Sequence, residues 1–585
     1  MIKVLRYLKR HWLAAILAPV FMAIEVSMDM LITKQMQQMI DIGIPSKDLE
    51  VITQIGLLML GLVLIGVIGG ILSGVFANIA SCNFANDLRK DVFNKIMKLS
   101  YDQTDKFSTG SLVTRVTNDI TQLQMFVAMM IRMLIRALSM FIFGIVFTLL
   151  ITPRLGIILA VVLPLELILM IIFMRKAFPI FSVIQSKIDN INTVVHENVS
   201  GARVVKAFGK EEYEDGRFEV VNNEHLALLL KINTFFAILI PIFMIFVYGA
   251  QNVIILMGGR SIFSAYEAGV TPEITIGQIT QATTYITMIC FALIQVGMIL
   301  TNVARAVASA RRINEVLDCE LEIADGNLDI NEIKETGTIE FKNVSFKYPG
   351  ANGNVLTSLS FKINKGESVA IVGATGSGKT SLINLIPRFY EATEGEVIVD
   401  GHNVKEFKQE ELRNKISIAL QKSELFAGTI KENILWGKLD ATDEEVAEAA
   451  RIAQAEEFIL SKENKFEEYV EEKGTSLSGG QKQRLSIARA IVKKPEILIF
   501  DDSTSALDLV TEAKLYKAMH ESISDVTKII VAQRIATARH ADKIIVLDYG
   551  QIVAFDTHEK LLESCSVYQD IYNSQLKREG VFDGQ

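Results

Sequence analysis

The stretch Ser368-Val-Ala-Ile-Val-Gly373-Ala-Thr-Gly-Ser-Gly-Lys-Thr380-Ser-Leu-Ile-Asn-Leu-Ile386 decides how the chain is read. An apolar, β-branched run leads through a glycine-rich loop into an apolar helical run. Strand, glycines, lysine, hydroxyl and helix in that order form the context in which a loop cradles phosphate. Gly373, Gly376 and Gly378 let backbone N–H groups close around phosphate oxygens, and the helix N-terminus adds a favourable dipole. Lys379 is placed to reach the β- and γ-phosphates and Thr380 to bind Mg²⁺. Thr375, Ser377 and Ser381 complete the cradle. The expected cofactors are ATP and Mg²⁺.

Around this loop the texture is that of an α/β domain. From about residue 336, short β-branched runs alternate with helical stretches: Thr338–Phe341, Ser368–Val372, Glu396–Val399, Ile497–Phe500, Lys528–Ala532 and Lys543–Leu547. The run Ile497–Phe500 ends in Asp501-Asp502, and a carboxylate at such a strand end holds Mg²⁺ beside a P-loop, which nominates Asp501. Between the two strands lies Leu477-Ser-Gly-Gly-Gln481, where Ser478, Gly479, Gly480 and Gln481 open another helix. Glycines there offer backbone donors to an anion. One nucleotide has no use for a second phosphate grip on the same chain, so this one fits a nucleotide held by another subunit.

Toward the N-terminus the chain becomes apolar. Of 585 residues, 50% are hydrophobic and 22% charged, and the mean hydropathy is +0.32. That mixture predicts an apolar part joined to a polar one. A bilayer core needs about 20 apolar residues per helix. Six runs qualify, near 13–33, 53–78, 135–152, 155–174, 235–258 and 280–303. An even number puts both termini on one side. Basic residues before the first run (Lys3, Arg6, Lys9, Arg10) and between the second and third (Arg89, Lys90, Lys95, Lys98, Lys106, Arg115) place that side in the cytoplasm. The inner connections, 79–134 and 175–234, are too long for structureless loops and read as helices projecting from the membrane. Glu25, Asp29, Arg132, Arg136 and Glu166 fall in or near the spans, where ionisable groups face a cavity or a partner or snorkel to the interface. Pro164 is expected to disturb the helix beside Glu166.

The net charge of −8 speaks against a nucleic-acid partner. Cys82, Cys290, Cys319 and Cys565 are scattered without metal-ligand spacing. No cleavable signal peptide follows the basic N-terminus.

The ordered set of Tyr348, the P-loop, Gln421, Leu477–Gln481, the strand to Asp501 and Ser505-Ala-Leu-Asp508 resembles the ATP-binding cassette (ABC) transporters. Six spans followed by this domain in one chain resemble their exporter half-transporters. The resemblance implies an all-α transmembrane domain over residues 1–320, a linker at 321–335 and an α/β P-loop nucleotide-binding domain over 336–585. It implies that Tyr348 stacks on adenine, that Gln421 touches Mg²⁺ and the attacking water, and that Ser478–Gln481 contact ATP on the opposite subunit. Asp508 would then cross the dimer interface. Phe107–Asp119, Glu197–Lys206 and Glu472 resemble the family's coupling segments. The location it implies is a bacterial inner membrane, with membrane lipid and a hydrophobic small molecule as partners.

Two positions depart from the family pattern. Where it carries a glutamate after the Mg²⁺-binding aspartate, this chain has Asp502. Where it carries a histidine after Val-Ala, this chain has Gln533. A shorter base reaches its proton less well, and an amide cannot become cationic. The expectation is a slow ATP site here, an intact signature for a partner's site, and a non-identical half-transporter supplying the competent glutamate and histidine. The transport expected is export of multidrug, lipid or peptide type by alternating access. Alternatives from other classes are a homodimeric exporter, an ATP-gated channel or regulator, a soluble cassette ATPase, and a siderophore importer on the same frame.

Overall fold

The computed structural model describes residues 1–151, 153–328, 333 and 336–579. Of the linker expected at 321–335, residues 329–332, 334 and 335 lie outside those described. The chain divides into two compact units, Met1–Lys98 with Ser108–Cys319, and Leu99–Phe107 with Glu320 onward.

The first unit is helical. Its main helices are α1 (Trp12–Gln38), α2 (Leu49–Ile96), α3 (Ile135–Ile151), α4 (Arg154–Ser200), α5 (Glu211–Glu267) and α6 (Ile276–Leu317). Among the described residues, six helical stretches are long and apolar enough to cross a membrane. With 57 residues, α5 is about 85 Å long against a hydrocarbon core of about 30 Å. The polar connections are therefore helices that continue the spans outward, as their composition predicts. α1 packs on α2, α3 on α6, and α4 on α5. Tyr285 of α6 is fully buried, and its hydroxyl donates to the Met30 carbonyl of α1 at 2.8 Å. Asp119 is buried and accepts from Ser309 Oγ at 2.8 Å and from Arg312, which fixes the approach to α3 against α6.

Pro164 does not break its helix: α4 runs through both Pro164 and Pro179. In a membrane helix the lost N–H bond is tolerated because neighbouring helices and local adjustments take up the freed carbonyl. Irregularity instead falls in one-turn π segments at Met39–Gly43, just before Pro45, and at Arg115–Asp119 and Met130–Leu134, which no proline announces.

The second unit holds two principal sheets. A four-stranded antiparallel sheet has the order Leu356–Ile363, Ile339–Phe346, Glu394–Val399, His402–Asn403. A six-stranded sheet runs Gln551–Asp556, Lys543–Asp548, Ser368–Val372, Thr527–Val531, Ile497–Asp501, Ile416–Ala419. All neighbours in it are parallel except the first pair. Ile371 pairs with Val531, Val531 with Asp501 and Phe500 with Ala419, so these carboxyl ends finish level. Ligands bind at that edge of an open parallel sheet.

Residues Leu99–Phe107, inside the stretch assigned by sequence to the membrane domain, group with this unit. They form the short helix Tyr101–Phe107. The Tyr101 ring lies 4.6 Å from that of Phe389, and the Arg413 guanidinium sits over the Phe389 ring 5.3 Å from its centroid. Ser100 Oγ donates to Glu322 at 2.8 Å. The segment read as Phe107–Asp119 thus runs from the last residue of this helix through the next, Thr109–Thr114, and the π turn Arg115–Asp119. The second segment, Glu197–Lys206, likewise spans the end of α4 and the helix Ala202–Phe208.

Candidate functional site

Three adjacent parallel strands deliver the site. From Ser368–Val372 comes the glycine loop, from Ile497–Asp501 the carboxyl pair, and from Thr527–Val531 Gln533. Ile416–Ala419, one strand further, delivers Gln421. Their ends enclose a cavity of about 550 Å³ lined by Gly373–Gly376, Gly378–Ser381, Gln421, Asp501, Asp502 and Gln533.

The loop's glycines are sterically required at two places. A Cβ on Gly373 would stand 2.2 Å from the Leu547 carbonyl oxygen. Gly378, at φ +100°, would place one 2.7 Å from Leu356, in a region that side chains avoid. The loop therefore folds back against its own strand neighbours. Lys379 Nζ donates to the carbonyls of Gly373 and Ala374 at 2.9 and 2.8 Å, lying across the loop. Burial pulls its ammonium below the ordinary lysine value, with Asp502 and Asp501 acting the other way.

Thr380 Oγ1 donates to Asp501 Oδ1 at 3.1 Å, so the hydroxyl and carboxylate nominated for one cation are adjacent. Burial raises the Asp501 carboxyl above the usual range, with Thr380 opposing. Burial does the same at Asp502, with Gln421 opposing. Asp502 stands at φ +49°, a left-handed position that Asp tolerates better than most residues. Gln533 Nε2 donates to Asp502 Oδ2 at 2.5 Å and Gln421 Nε2 to the same oxygen at 3.3 Å.

The residues present fit a nucleoside triphosphate with a divalent cation. Ser377 Oγ, buried inside the loop, finds no hydrogen-bond partner among the described residues. The hard oxygen pair Thr380–Asp501 suits Mg²⁺, which is held by one or two carboxylates together with substrate phosphates.

Other expected residues stand apart from this cavity. The Tyr348 hydroxyl is 2.9 Å from Ser381 Oγ, and its ring meets those of Phe346 and Tyr390 edge-on at 4.7 and 5.2 Å. Ser478 caps the helix Gly479–Val492: its Oγ accepts from the Gln481 amide at 3.3 Å, and Gln481 Oε1 accepts from the Ser478 amide at 3.0 Å. Gly480 packs under the 506 carbonyl, where a Cβ would come to 3.1 Å. Asp508 caps the next helix, Leu509–Ser522, accepting from the Thr511 amide at 2.9 Å.

Sequence reading missed two groups. Gln575, on the helix Ser566–Glu579, lines the cavity and donates to the Gln533 carbonyl at 2.8 Å while accepting from the Ile535 amide at 2.8 Å. Glu512 is buried and accepts from Thr504 at 2.8 Å and Thr537 at 2.7 Å, with Arg534 at 3.6 Å. Neither lies in a motif, so no local signal marks them.

Comparison with known proteins agrees with this architecture. The family profile described as the ABC transporter transmembrane region matches residues 15–293, and that described as ABC transporter matches 356–505. The chain is 36% identical to an uncharacterized ABC transporter ATP-binding protein, YfiB, of Bacillus subtilis, over 99% of both chains. It is 34% identical over 92% of both chains to an uncharacterized ABC transporter ATP-binding protein of Mycobacterium tuberculosis. It is 32% identical to the Bacillus subtilis protein named "Putative multidrug export ATP-binding/permease protein YgaD", over 84% of this chain and 83% of that one. With a six-helix membrane domain and a P-loop cavity joined in one polypeptide, the chain belongs to the ABC transporters, as a multi-pass membrane half-transporter of exporter type whose cassette binds and hydrolyses ATP.

Proposed function

We propose that this protein exports amphipathic or hydrophobic compounds as the slow-site subunit of a heterodimer. The observation that carries the slow site is the convergence of Gln533 and Gln421 on one oxygen of Asp502. Asp502 is the group positioned to accept a proton from the attacking water, and it is one methylene shorter than the glutamate usual there. A misplacement of about 1 Å costs on the order of a hundredfold in rate. Two amide donors on Oδ2 occupy that oxygen and hinder its approach to the water's proton, although burial holds the carboxyl above the usual range. Gln533 donates one hydrogen bond toward the γ-phosphate but carries no charge.

In this reading Gly373, Thr375, Gly376, Ser377, Gly378 and Ser381 cradle the phosphates and Lys379 neutralises them. Thr380, Asp501 and Gln421 hold Mg²⁺, which when bound draws charge from the β- and γ-oxygens. Tyr348 presents its ring to adenine. Ser478–Gln481 serve the partner's nucleotide, and the partner supplies the competent glutamate and histidine. Closure of the paired cassettes drives alternating access in the membrane helices. The export reading draws on relatives named for multidrug export. Apolar spans suit such a substrate.

ATP hydrolysis by the purified chain in lipid, alone and together with its non-identical partner, tests the proposal. Near-inactivity alone, relieved by the partner, is expected. Brisk hydrolysis by the chain alone would make Asp502 a sufficient base and the protein a homodimeric exporter.

A further inference from the structure

A cavity of about 360 Å³ opens among α1, α2 and the turn that leads into α3. Its lining joins apolar Val63, Val67 and Ile71 to Glu25, Asp29 and Arg132. Gly66 and Gly70, one turn apart on α2, line it, and Gly70 makes the room for Glu25. A Cβ on Gly70 would stand 2.8 Å from Glu25 Oε2, and one on Gly74 would stand 3.7 Å from Nη1 of Arg132.

The charges here are separated, not cancelled. Arg136 stands 3.4 Å from Glu25 Oε1 and 3.9 Å from Asp29 Oδ2, one guanidinium serving two carboxylates. Among the described residues, the buried Glu25 Oε2 and Arg136 Nε find no hydrogen-bond partner. Arg132 is exposed and takes part in no ion pair among the described residues. One end of the cavity thus carries a negative excess and the other an unpaired cation. Ionisable groups at membrane depth are costly and persist where they face a cavity, water or a partner.

Depth is fixed by helix geometry. Glu25 lies about 12 residues inside the inner end of the apolar run 13–33 and Gly70 about 8 residues inside that of 53–78, or about 18 and 12 Å along the helices. In a hydrocarbon core about 30 Å thick the charges therefore stand within the core, with Val67 and Val63 continuing toward the face away from the two termini.

We propose that this cavity binds the head of a zwitterionic amphiphile, its anionic group on Arg132 and its ammonium on Glu25 and Asp29, with the chain along Val67 and Val63. The inference rests on the exporter reading above and narrows its substrate class. A bilayer lipid and a free single-chain amphiphile share this head chemistry.

The test uses the full transporter reconstituted in bilayers of anionic lipid alone. Spin-labelled single-chain amphiphiles of equal length, bearing a phosphocholine, a phosphate-only or a trimethylammonium head, are titrated, and the protein-immobilised fraction is read by electron spin resonance. Phosphocholine is expected to bind about tenfold tighter than either single-charge head. Arg132→Gln brings it down to the trimethylammonium level, Arg132→Lys keeps most of the preference, and Glu25→Gln with Asp29→Asn brings it to the phosphate-only level. Val67→Trp, which fills the cavity from an exposed position without touching a charge, lowers phosphocholine binding and covers the case in which a charge variant fails to fold. A two-chain phosphocholine lipid that binds as tightly assigns the cavity to bilayer lipid; binding of the single-chain form alone assigns it to a free amphiphile. Equal binding of all three heads by the wild type, or a preference that Arg132→Gln and Val67→Trp leave unmoved, overturns the proposal. ATP-driven movement of a hydrophobic cation in the same vesicles tests the exporter reading separately. Its absence sinks that reading while head-selective binding stands, and its presence without head selectivity sinks the cavity proposal alone.

Discussion

Two glycine-bearing helix starts in the cassette use one physical device and end in different states. At Gly373–Lys379 the loop bends back on its own sheet, keeps the buried Ser377 hydroxyl without a partner among the described residues, and faces a cavity of its own chain. At Ser478–Gln481 the helix closes its first turn on itself through a reciprocal Ser–Gln cap, while Ser478 and Gly479 remain exposed. The first start holds its polar groups for a ligand. The second is already satisfied by its cap and presents an outer surface. A helix N-terminus attracts anions in general, yet whether its groups are spent on a cap or held open decides what it waits for.

Four variants break or sharpen that contrast. Lys379→Ala removes the charge that spans the first loop and is expected to weaken ATP binding about 100-fold, read by equilibrium titration with a fluorescent nucleotide; near-normal affinity would mean the amides alone hold the triphosphate. Asp502→Glu with Gln533→His replaces the crowded carboxylate and the neutral amide, and turnover of the chain alone should rise about 30-fold. An unchanged rate would move the defect elsewhere. Gly480→Ala sets a Cβ 3.1 Å from the 506 carbonyl; hydrolysis by the assembled dimer is expected to fall about tenfold, while nucleotide affinity of the chain's own loop stays as it was. Loss of that affinity would show that the two starts are not independent. Ser478→Ala deletes the cap and should cost the cassette about 1 kcal/mol, a small drop in its thermal midpoint; no drop would mean the signature helix is held by its packing alone.

The same contrast explains what was legible in the sequence. Motifs fixed by close geometry were readable: Gly378 and Thr380 fall where the P-loop pattern puts them, because backbone turn and hydroxyl position are local. The spans were readable because about 20 apolar residues must run unbroken to cross a bilayer. Non-local contacts were not. Gln575 reaches the site from a helix 42 residues beyond Gln533, and Glu512, though close to Asp502 in sequence, is tied to Thr537 25 residues on; no local pattern marks either contact. The π turns at Arg115–Asp119 and Met130–Leu134 carry no glycine or proline to announce them. Tyr101–Phe107 reads as part of the membrane domain because it is flanked by it, and only the packing of Tyr101 on Phe389 reveals the unit to which it belongs.

The level carboxyl ends of the parallel sheet bear on how such a site changes over generations. Thr527–Val531 is hydrogen-bonded on both sides, to Ser368–Val372 and to Ile497–Asp501. A one-residue insertion or deletion within it would swap every inward side chain for an outward one, carry Gln533 out of the cavity and disturb both neighbours at once. Exchanging the side chain at 502 or 533 leaves the ladder untouched. Drift can therefore erode the chemistry at the strand tips one substitution at a time while the nucleotide's berth is inherited whole.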